Sequence, residues 1–314
     1  MALEALFDDN GGLVTTEQLL SVVSRKTLAS HLAAGAIIRV WHGVYALHPP
    51  DTVGRLAALE LVTGRPIVAC MATAAQFHGF GIERDSRVHV LDPGVRIRPN
   101  QDLMVHQRLG APLVKVGGRL ITAPDWTAVE VARTQRRRRV LATLDAALRS
   151  GACSPVALQA AVDEQRGRRG IVAVRELLPF ADPLAESPME SEARLVFLDG
   201  GLPTPALQHE IIDRYGQLWR VDFAWPEAML AAEYDSMQWH ANPEAWKRDR
   251  LKVARLADCG WSVVQFVVDD VRRYPDDLVA RIGGRLPSTS RRKRPRTHGV
   301  SGSFASARGR KVGC

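Results

Sequence analysis

Apolar residues recur along this chain at two spacings, near 3.6 and at 2, and the switches between them mark its elements. Near the start, Thr15 or Thr16 is placed to cap a helix through Glu17, Gln18, Leu19 and Leu20, with acid in its first turn. Ser24 caps a second helix over residues 25–34 that stops at Gly35. Leu28, Ala29, Leu32 and Ala33 mark one face of it, while Arg25, Lys26, Ser30 and His31 lie largely elsewhere. Residues 37–41 and 44–47 read as strands around the two-residue turn His42-Gly43. In the middle, helices are expected over residues 55–63 and 69–77, from Thr122 or Asp125 through Val131, and over 136–148. Strands are expected at 88–91, 103–106 and 119–121. A short helix at 172–178 precedes the stretch 180–187, FADPLAES, whose linker character sets a domain boundary.

Beyond that boundary, Ser187 at the cap, Pro188 at the first helical position and Glu190 three residues after the cap start a helix. It runs to about Asp199 and stops at Gly200-Gly201. A strand at 207–214 and a turn at Tyr215-Gly216 lead into two strands, 219–225 and 229–235. Pro226 and Glu227 fall between them, where proline has no ladder bond to donate. Asn242-Pro243 opens a helix to Cys259, stopped by Gly260, whose exposed face is expected to hold Lys247, Arg248, Arg250, Lys252 and Arg255. Residues 261–269 read as an apolar strand and 276–283 as a last helix, so the order is helix, three strands, helix, strand, helix. The fold class is mixed α+β and multidomain: residues 1–50, an α+β middle region at 51–182, an αβββαβα unit at 187–286, and a tail at 287–314.

Composition narrows the class. The chain has 314 residues, 46% hydrophobic and 24% charged, as soluble globular proteins have. No apolar run approaches a membrane span and the start lacks the pattern of a signal peptide, so a cytoplasmic protein without membrane contact is expected. The net charge of +8 comes from the tail, where residues 287–314 hold eight Lys or Arg and no acid. The other residues balance, so the isoelectric point says nothing about the body. The tail's Arg291, Arg292, Lys293 and Arg294 read as a disordered basic arm that adds salt-dependent affinity for nucleic acid. Cys70, Cys153, Cys259 and Cys314 form no CxxC pair, which argues against zinc; Cys70 and Cys259 read as small buried hydrophobes.

The candidate chemistry lies in the 219–235 hairpin. Glu233 and Asp235 point the same way, and with a turn centred on Glu227-Ala228, Asp222 lies opposite Glu233. Like charges facing each other across a ladder repel, and a divalent cation such as Mg²⁺ or Mn²⁺ removes that penalty. The alternative is a set of acids on a solvated face. Glu190 has a structural role open to it as half of a capping box. His78, His89 and His106 are too widely spread in sequence to argue for a metal site. The run of arginines at 136–139 reads as a solvated helix face, with a phosphate-binding patch as its functional alternative. Residues 166–170, RGRRG, form a basic loop.

Helix, turn, helix and small hairpin is the plan of a winged helix. The segment GGLVTTEQLLSVVSRKTLASHLAAGAIIRVWHGVYAL resembles the N-terminal winged-helix domain of AbiEi-type antitoxins, which implies DNA binding, autoregulation and a partner toxin. By that resemblance Arg25, Lys26, Thr27 and His31 occupy the reading helix and Arg39 and His42 the wing. The C-terminal order resembles the PD-(D/E)xK nucleases, and more narrowly the very-short-patch-repair-like branch called domain of unknown function 559. The resemblance rests on Glu190-Ser191 with Arg194, Gly201-Leu202-Pro203 with Gln208, Val221-Asp222-Phe223 with Trp225-Pro226-Glu227, Glu233-Tyr234-Asp235 with His240, Asp249-Arg250 and Gly260-Trp261. It implies Asp222 and Glu233 as ligands of Mg²⁺ or Mn²⁺, Glu190 as a helix-borne partner, and His240 as acid or base. Asp235 stands where the superfamily places lysine, and Lys247, Arg248 and Arg250 would hold the nucleic acid strand. Two readings follow: a metal-dependent endonuclease acting on duplex DNA, nicked or mismatched DNA included, or a non-catalytic regulator that keeps the nuclease fold as a binding or homodimerisation platform. RNA as substrate stays open.

Overall fold

The computed structural model describes residues 2–81, 85–107, 110–236 and 243–287. It is a mixed α/β chain with several small sheets.

The N-terminal segment contains α1 (Ala2–Asp9), β1 (Val14–Thr15), α2 (Thr16–Val22), α3 (Arg25–Ala33), β2 (Ile38–Trp41) and β3 (Val44–Ala46). Thr15 caps α2 in a reciprocal box with Gln18, and the Ser24 hydroxyl accepts the Thr27 N–H at the start of α3. The strands form an antiparallel sheet in the order β1-β3-β2. Phe7, Val14, Leu19, Leu28, Ile37 and Tyr45 form its core, so α1, for which the sequence offered no cap, is held by Phe7. Trp41 faces the other way, donating through Nε1 to the Arg55 carbonyl at 2.7 Å and lying under the Arg55 guanidinium.

The middle segment contains α4 (Thr52–Thr63), α5 (Met71–Phe77), the parallel pair β4 (Val88–Leu91) and β5 (Leu103–His106), and the antiparallel pair β6 (Leu113–Val116) and β7 (Arg119–Thr122). Four helices follow: α6 (Pro124–Thr134), α7 (Arg137–Arg149), α8 (Pro155–Glu164) and α9 (Ile171–Leu177). β6 and α8 add to the expected elements. Gly170, at φ +84°, caps α9; a Cβ there would lie 1.9 Å from the Arg133 carbonyl oxygen, so only glycine fits. In the basic loop at 166–170, Arg168 joins this packing, pairing with the buried Glu130 at 3.1 Å and stacking over Trp126, while Arg166 and Arg169 are exposed.

The C-terminal segment contains α10 (Pro188–Asp199), β8 (Ala206–Ile212), β9 (Leu218–Trp225), β10 (Leu230–Tyr234), α11 (Pro243–Asp258), β11 (Ser262–Phe266), α12 (Val268–Arg272) and α13 (Pro275–Gly283). The sheet order is β11-β10-β9-β8, antiparallel except for the parallel β10–β11 pair that the α11 crossover connects. The strand expected to reach Asp269 ends at Phe266, because the Asp270 carboxylate accepts the Val267 N–H and starts α12. Phe197, Phe223, Trp225 and Phe266 form an aromatic core on the α10 side of the sheet, while Leu256 of α11 packs against Trp219, Val221 and Ala231 on the other.

α7 and α10 lie against each other, with Leu195 reaching into the core of the middle helices. A buried ion pair of 2.6 Å between Asp145 and Arg194 joins them, and Asp145 also accepts the Asp182 N–H at 2.8 Å.

Candidate functional site

The β9–β10 register is the one the turn dictates. Trp225 pairs with Leu230, Ala224 with Ala231 and Phe223 with Ala232, so Asp222 and Glu233 come next on the two strands. Side-chain alternation slips beside Asp222. Trp219 and Val221 share a cluster with Ala224, whereas Phe223 and Trp225 belong to the other face. On the facing strand, Gln208 lies in register with Asp222 and has the left-handed φ of +49°. A non-glycine residue held there costs energy, and such residues concentrate at functional sites.

The slip lets α10 reach the sheet with its acid. Glu190 is buried, and its Oε2 accepts from the Gln208 amide at 3.0 Å and from the Glu186 N–H at 2.9 Å. The expected capping box is therefore half made: Ser187 accepts the Glu190 N–H, but the Glu190 carboxylate turns to Glu186 and Gln208. Burial, and after it the charge of Asp222, push the Glu190 carboxyl above its ordinary value. Burial also pushes Asp222 up to about 6; the Tyr234 N–H, donating to Oδ2 at 2.8 Å, works against this, while the charge of Glu233 adds to the rise. Glu233 is raised by burial and lowered by Lys252.

Lys252 corrects an expectation. It does not lie on the exposed face of α11; its ammonium donates to Glu233 Oε1 and to the Arg220 carbonyl oxygen. α11 thus supplies a lysine to the carboxylate cluster, whose own strand carries Asp235 where the resemblance placed one. The signal was in the spacing: Lys252 is one helical turn before Leu256, the buried residue of the sheet-facing stripe. Arg255 also leaves the exposed face, stacking 3.7 Å from the centroid of the Tyr215 ring. Lys247, Arg248 and Arg250 are exposed as expected.

The Asp235 N–H donates to the Phe266 carbonyl oxygen, and its charge acts on Tyr234. His240 and Arg291, Arg292, Lys293 and Arg294 lie outside the described residues. The donor chemistry of Glu190, Asp222 and Glu233, all oxygen, suits a hard cation. Among the described residues, however, no group of three or more such side chains is drawn together tightly enough to hold one, and Lys252 engages Glu233.

In the N-terminal segment, α3 turns Leu28 inward and exposes Arg25, Lys26 and Thr27, with His31 half-buried. Its first turn holds no acid. Arg39 and His42 are exposed on the β2–β3 hairpin, Arg39 over the Tyr45 ring. Among the described residues, this face is basic without a competing carboxylate pair.

The middle segment brings two of the scattered histidines together. His89 and His106, distant in sequence, stand on adjacent parallel strands with rings stacked and Nδ1 to Nε2 at 2.9 Å; His89 Nε2 lies 2.9 Å from Asp85 Oδ2. Only strand pairing brings them together, and sequence spacing carried no sign of it.

Residues 1–48 match the family model described as "Transcriptional regulator, AbiEi antitoxin", and residues 67–180 match "AbiEi antitoxin C-terminal domain". The chain thus carries AbiEi antitoxin-type domains in its N-terminal and middle segments. Two proteins of Mycobacterium tuberculosis, the uncharacterized proteins MT2308 (strain CDC 1551 / Oshkosh) and Rv2248 (strain ATCC 25618 / H37Rv), are each 58% identical over 264 residues, 84% of this chain and 97% of theirs. The chain belongs to the family of these mycobacterial proteins. A match of 264 residues in a chain of 314 spans residues 51–264 wherever it begins, so the family relation takes in the carboxylate cluster as well as the 67–180 segment that matches the AbiEi antitoxin C-terminal domain. Among the described residues no helix is long and apolar enough to cross a membrane.

Proposed function

We propose that this protein is a DNA-binding transcriptional regulator of the AbiEi antitoxin type, with a partner toxin as its cognate. In this reading α3 enters the major groove as the second helix of a winged helix, and the β2–β3 hairpin lies along the backbone. The observation that carries it is a coincidence of residues: the segment matching the transcriptional-regulator model is the one that exposes Arg25, Lys26, Arg39 and His42 on one helix and one hairpin. The regulator reading stands ahead of the nuclease reading because the family models that match are those of an antitoxin.

Duplex binding tests it, beginning with the DNA upstream of its own gene. The background should carry neutral replacements of Arg291, Arg292, Lys293 and Arg294, so that the tail does not mask the effect. Replacing Arg25 and Lys26 together by alanine is expected to weaken binding at least about tenfold and to lower the salt slope by roughly 1.8, two phosphate contacts' worth. Both side chains are exposed, so the melting temperature should stay put. Unchanged affinity and slope would remove α3 from the interface.

A second reading, a metal-dependent nuclease at the C-terminal sheet, is favoured by the Glu190–Asp222–Glu233–Lys252 cluster. Asp222 and Glu233 would hold Mg²⁺ or Mn²⁺, which when bound would neutralise charge on a phosphodiester. Lys252, freed from Glu233, would face the same anion. A panel of duplex, nicked, mismatched and RNA substrates decides it. Cleavage by the wild type that is lost in Asp222→Ala, Glu233→Ala and Lys252→Met is the expected result of this reading. No cleavage of any substrate leaves the regulator alone.

A further inference from the structure

The arginine run at 136–139 is not absorbed by either reading. It occupies the N-terminal end of α7, where the helix dipole is positive and acids are favoured. Arg136 is the cap residue and makes no side-chain cap bond, and no acid follows in the first turn. Four cations there work against the helix unless something anionic meets them. Their fates differ. Arg137 turns to Glu176 and Asp199. Arg139 turns to Glu192, whose side chain is 1% exposed and also takes two hydrogen bonds, of 3.0 and 2.9 Å, from Arg272. Arg136 and Arg138 are exposed and have no ion pair among the described residues.

Arg136, Arg138 and Arg139 line a groove of about 780 Å³ where the middle segment meets α10 and α12. Its acids are already engaged: Glu192 by Arg139 and Arg272, and Asp85 by a two-pronged bond from Arg87 and by His89. Among the described lining residues, five arginines stand against two carboxylates, a net positive charge. Its other side is apolar, with Met71, Ala75, Phe80 and Val131. Met71 has a φ of +51°, a strained conformation for a residue with a side chain, at the point where α5 begins on the groove wall. The volume lies within the range of small-ligand sites, and guanidinium forks match phosphate oxygens in pairs.

We propose that this groove binds a nucleotide, with its phosphates on Arg136, Arg138 and the Arg139–Glu192–Arg272 cluster and its base against the Met71–Phe80 wall. Bound there, the ligand bridges α7 and α12, two elements from different segments of the chain. The site shares no residue with α3 or the hairpin, nor with the Glu190–Asp222–Glu233–Lys252 cluster.

The test is titration of the full chain, in the tail-neutralised background, with ATP carrying a fluorescent label on its ribose, followed by competition with unlabelled ATP, pyrophosphate and a six-residue oligothymidylate. Saturable binding is expected, weakened at least about tenfold in the Arg136→Ser, Arg138→Ser double variant, the loss of one charge-assisted hydrogen bond or more. Both positions are exposed, so the variant should melt with the wild type and bind duplex DNA as the wild type does, which separates failure here from failure of the regulator reading. No saturable binding, or binding that the variant leaves unchanged, would overturn the proposal. Pyrophosphate competing as well as ATP would overturn the role of the apolar wall. Competition by the oligonucleotide alone would overturn a free nucleotide in favour of a strand.

Discussion

Replacing Asp145 by alanine is expected to cost about 3–5 kcal/mol of stability, the usual price of stranding one charge of a buried pair. Asp145 is fully buried on α7 and Arg194 is 4% exposed on α10, with 2.6 Å between them. Alanine would leave a guanidinium in a dry interface with its Nε already lacking a partner, and would take the acceptor from the Asp182 N–H. Arg194→Met should cost a similar amount, because burial already pushes the Asp145 carboxyl upward and Arg194 holds it down. The double variant Asp145→Leu, Arg194→Met should recover most of the loss, falling within about 1–2 kcal/mol of the wild type, since well-packed apolar pairs commonly replace buried ion pairs at little cost. Urea denaturation of the four proteins gives the coupling directly. Because the pair sits where Leu195 of α10 enters the core of α6–α9, the single variants should also speed proteolysis of the connecting stretch at 181–187. Losses below about 1 kcal/mol in both single variants would mean that water reaches the pair.

The fold was legible where local chemistry decides structure and obscure where packing does. Thr15, Ser24 and Ser187 cap the helices they were expected to cap, because a hydroxyl that satisfies an orphan N–H needs nothing distant. The β9–β10 register followed from Pro226 and the alternation. By contrast α1 lacks such a cap and is fixed through Phe7 by the cluster it joins, whereas α8, outside the expected elements, has the same Ser-Pro start as α10, with the Ser154 hydroxyl accepting the Ala157 N–H. The site divides the same way. Asp222, Glu233 and Glu190 could be singled out because acids among apolar residues at strand spacing are conspicuous. Lys252 was misplaced, since a lysine on a basic helix looks like its neighbours until one asks which side Leu256 takes. Gln208 stood in the sequence only as one residue of the C-terminal resemblance, with no role attached; its role comes from a backbone conformation and an alternation slip that exist only in the folded sheet. The His89–His106 contact is likewise a product of parallel pairing across a long loop.

Asp222 provides the second large effect, and its sign is opposite to that of an ordinary surface carboxylate. Its folded value, about 6, lies above the ordinary 3.8. Between those two values the folded protein keeps a proton that the unfolded chain has released, so stability falls as pH rises through that window. A shift of about two units corresponds to roughly 3 kcal/mol lost by neutral pH. Asp222→Asn keeps an oxygen to accept the Tyr234 N–H and cannot ionise. In chelator-containing buffer the variant should match the wild type near pH 4, exceed it by about 3 kcal/mol at pH 7, and show no slope from this position in between. Urea denaturation at three pH values measures it. A variant less stable than the wild type at pH 7 would show that Lys252 and the neighbouring donors compensate the Asp222 charge fully. The expected result says more: a charged Asp222 weakens the apo fold, as does the left-handed Gln208 beside it, and two such costs at one spot are characteristic of a site kept for what it binds rather than for the stability it brings.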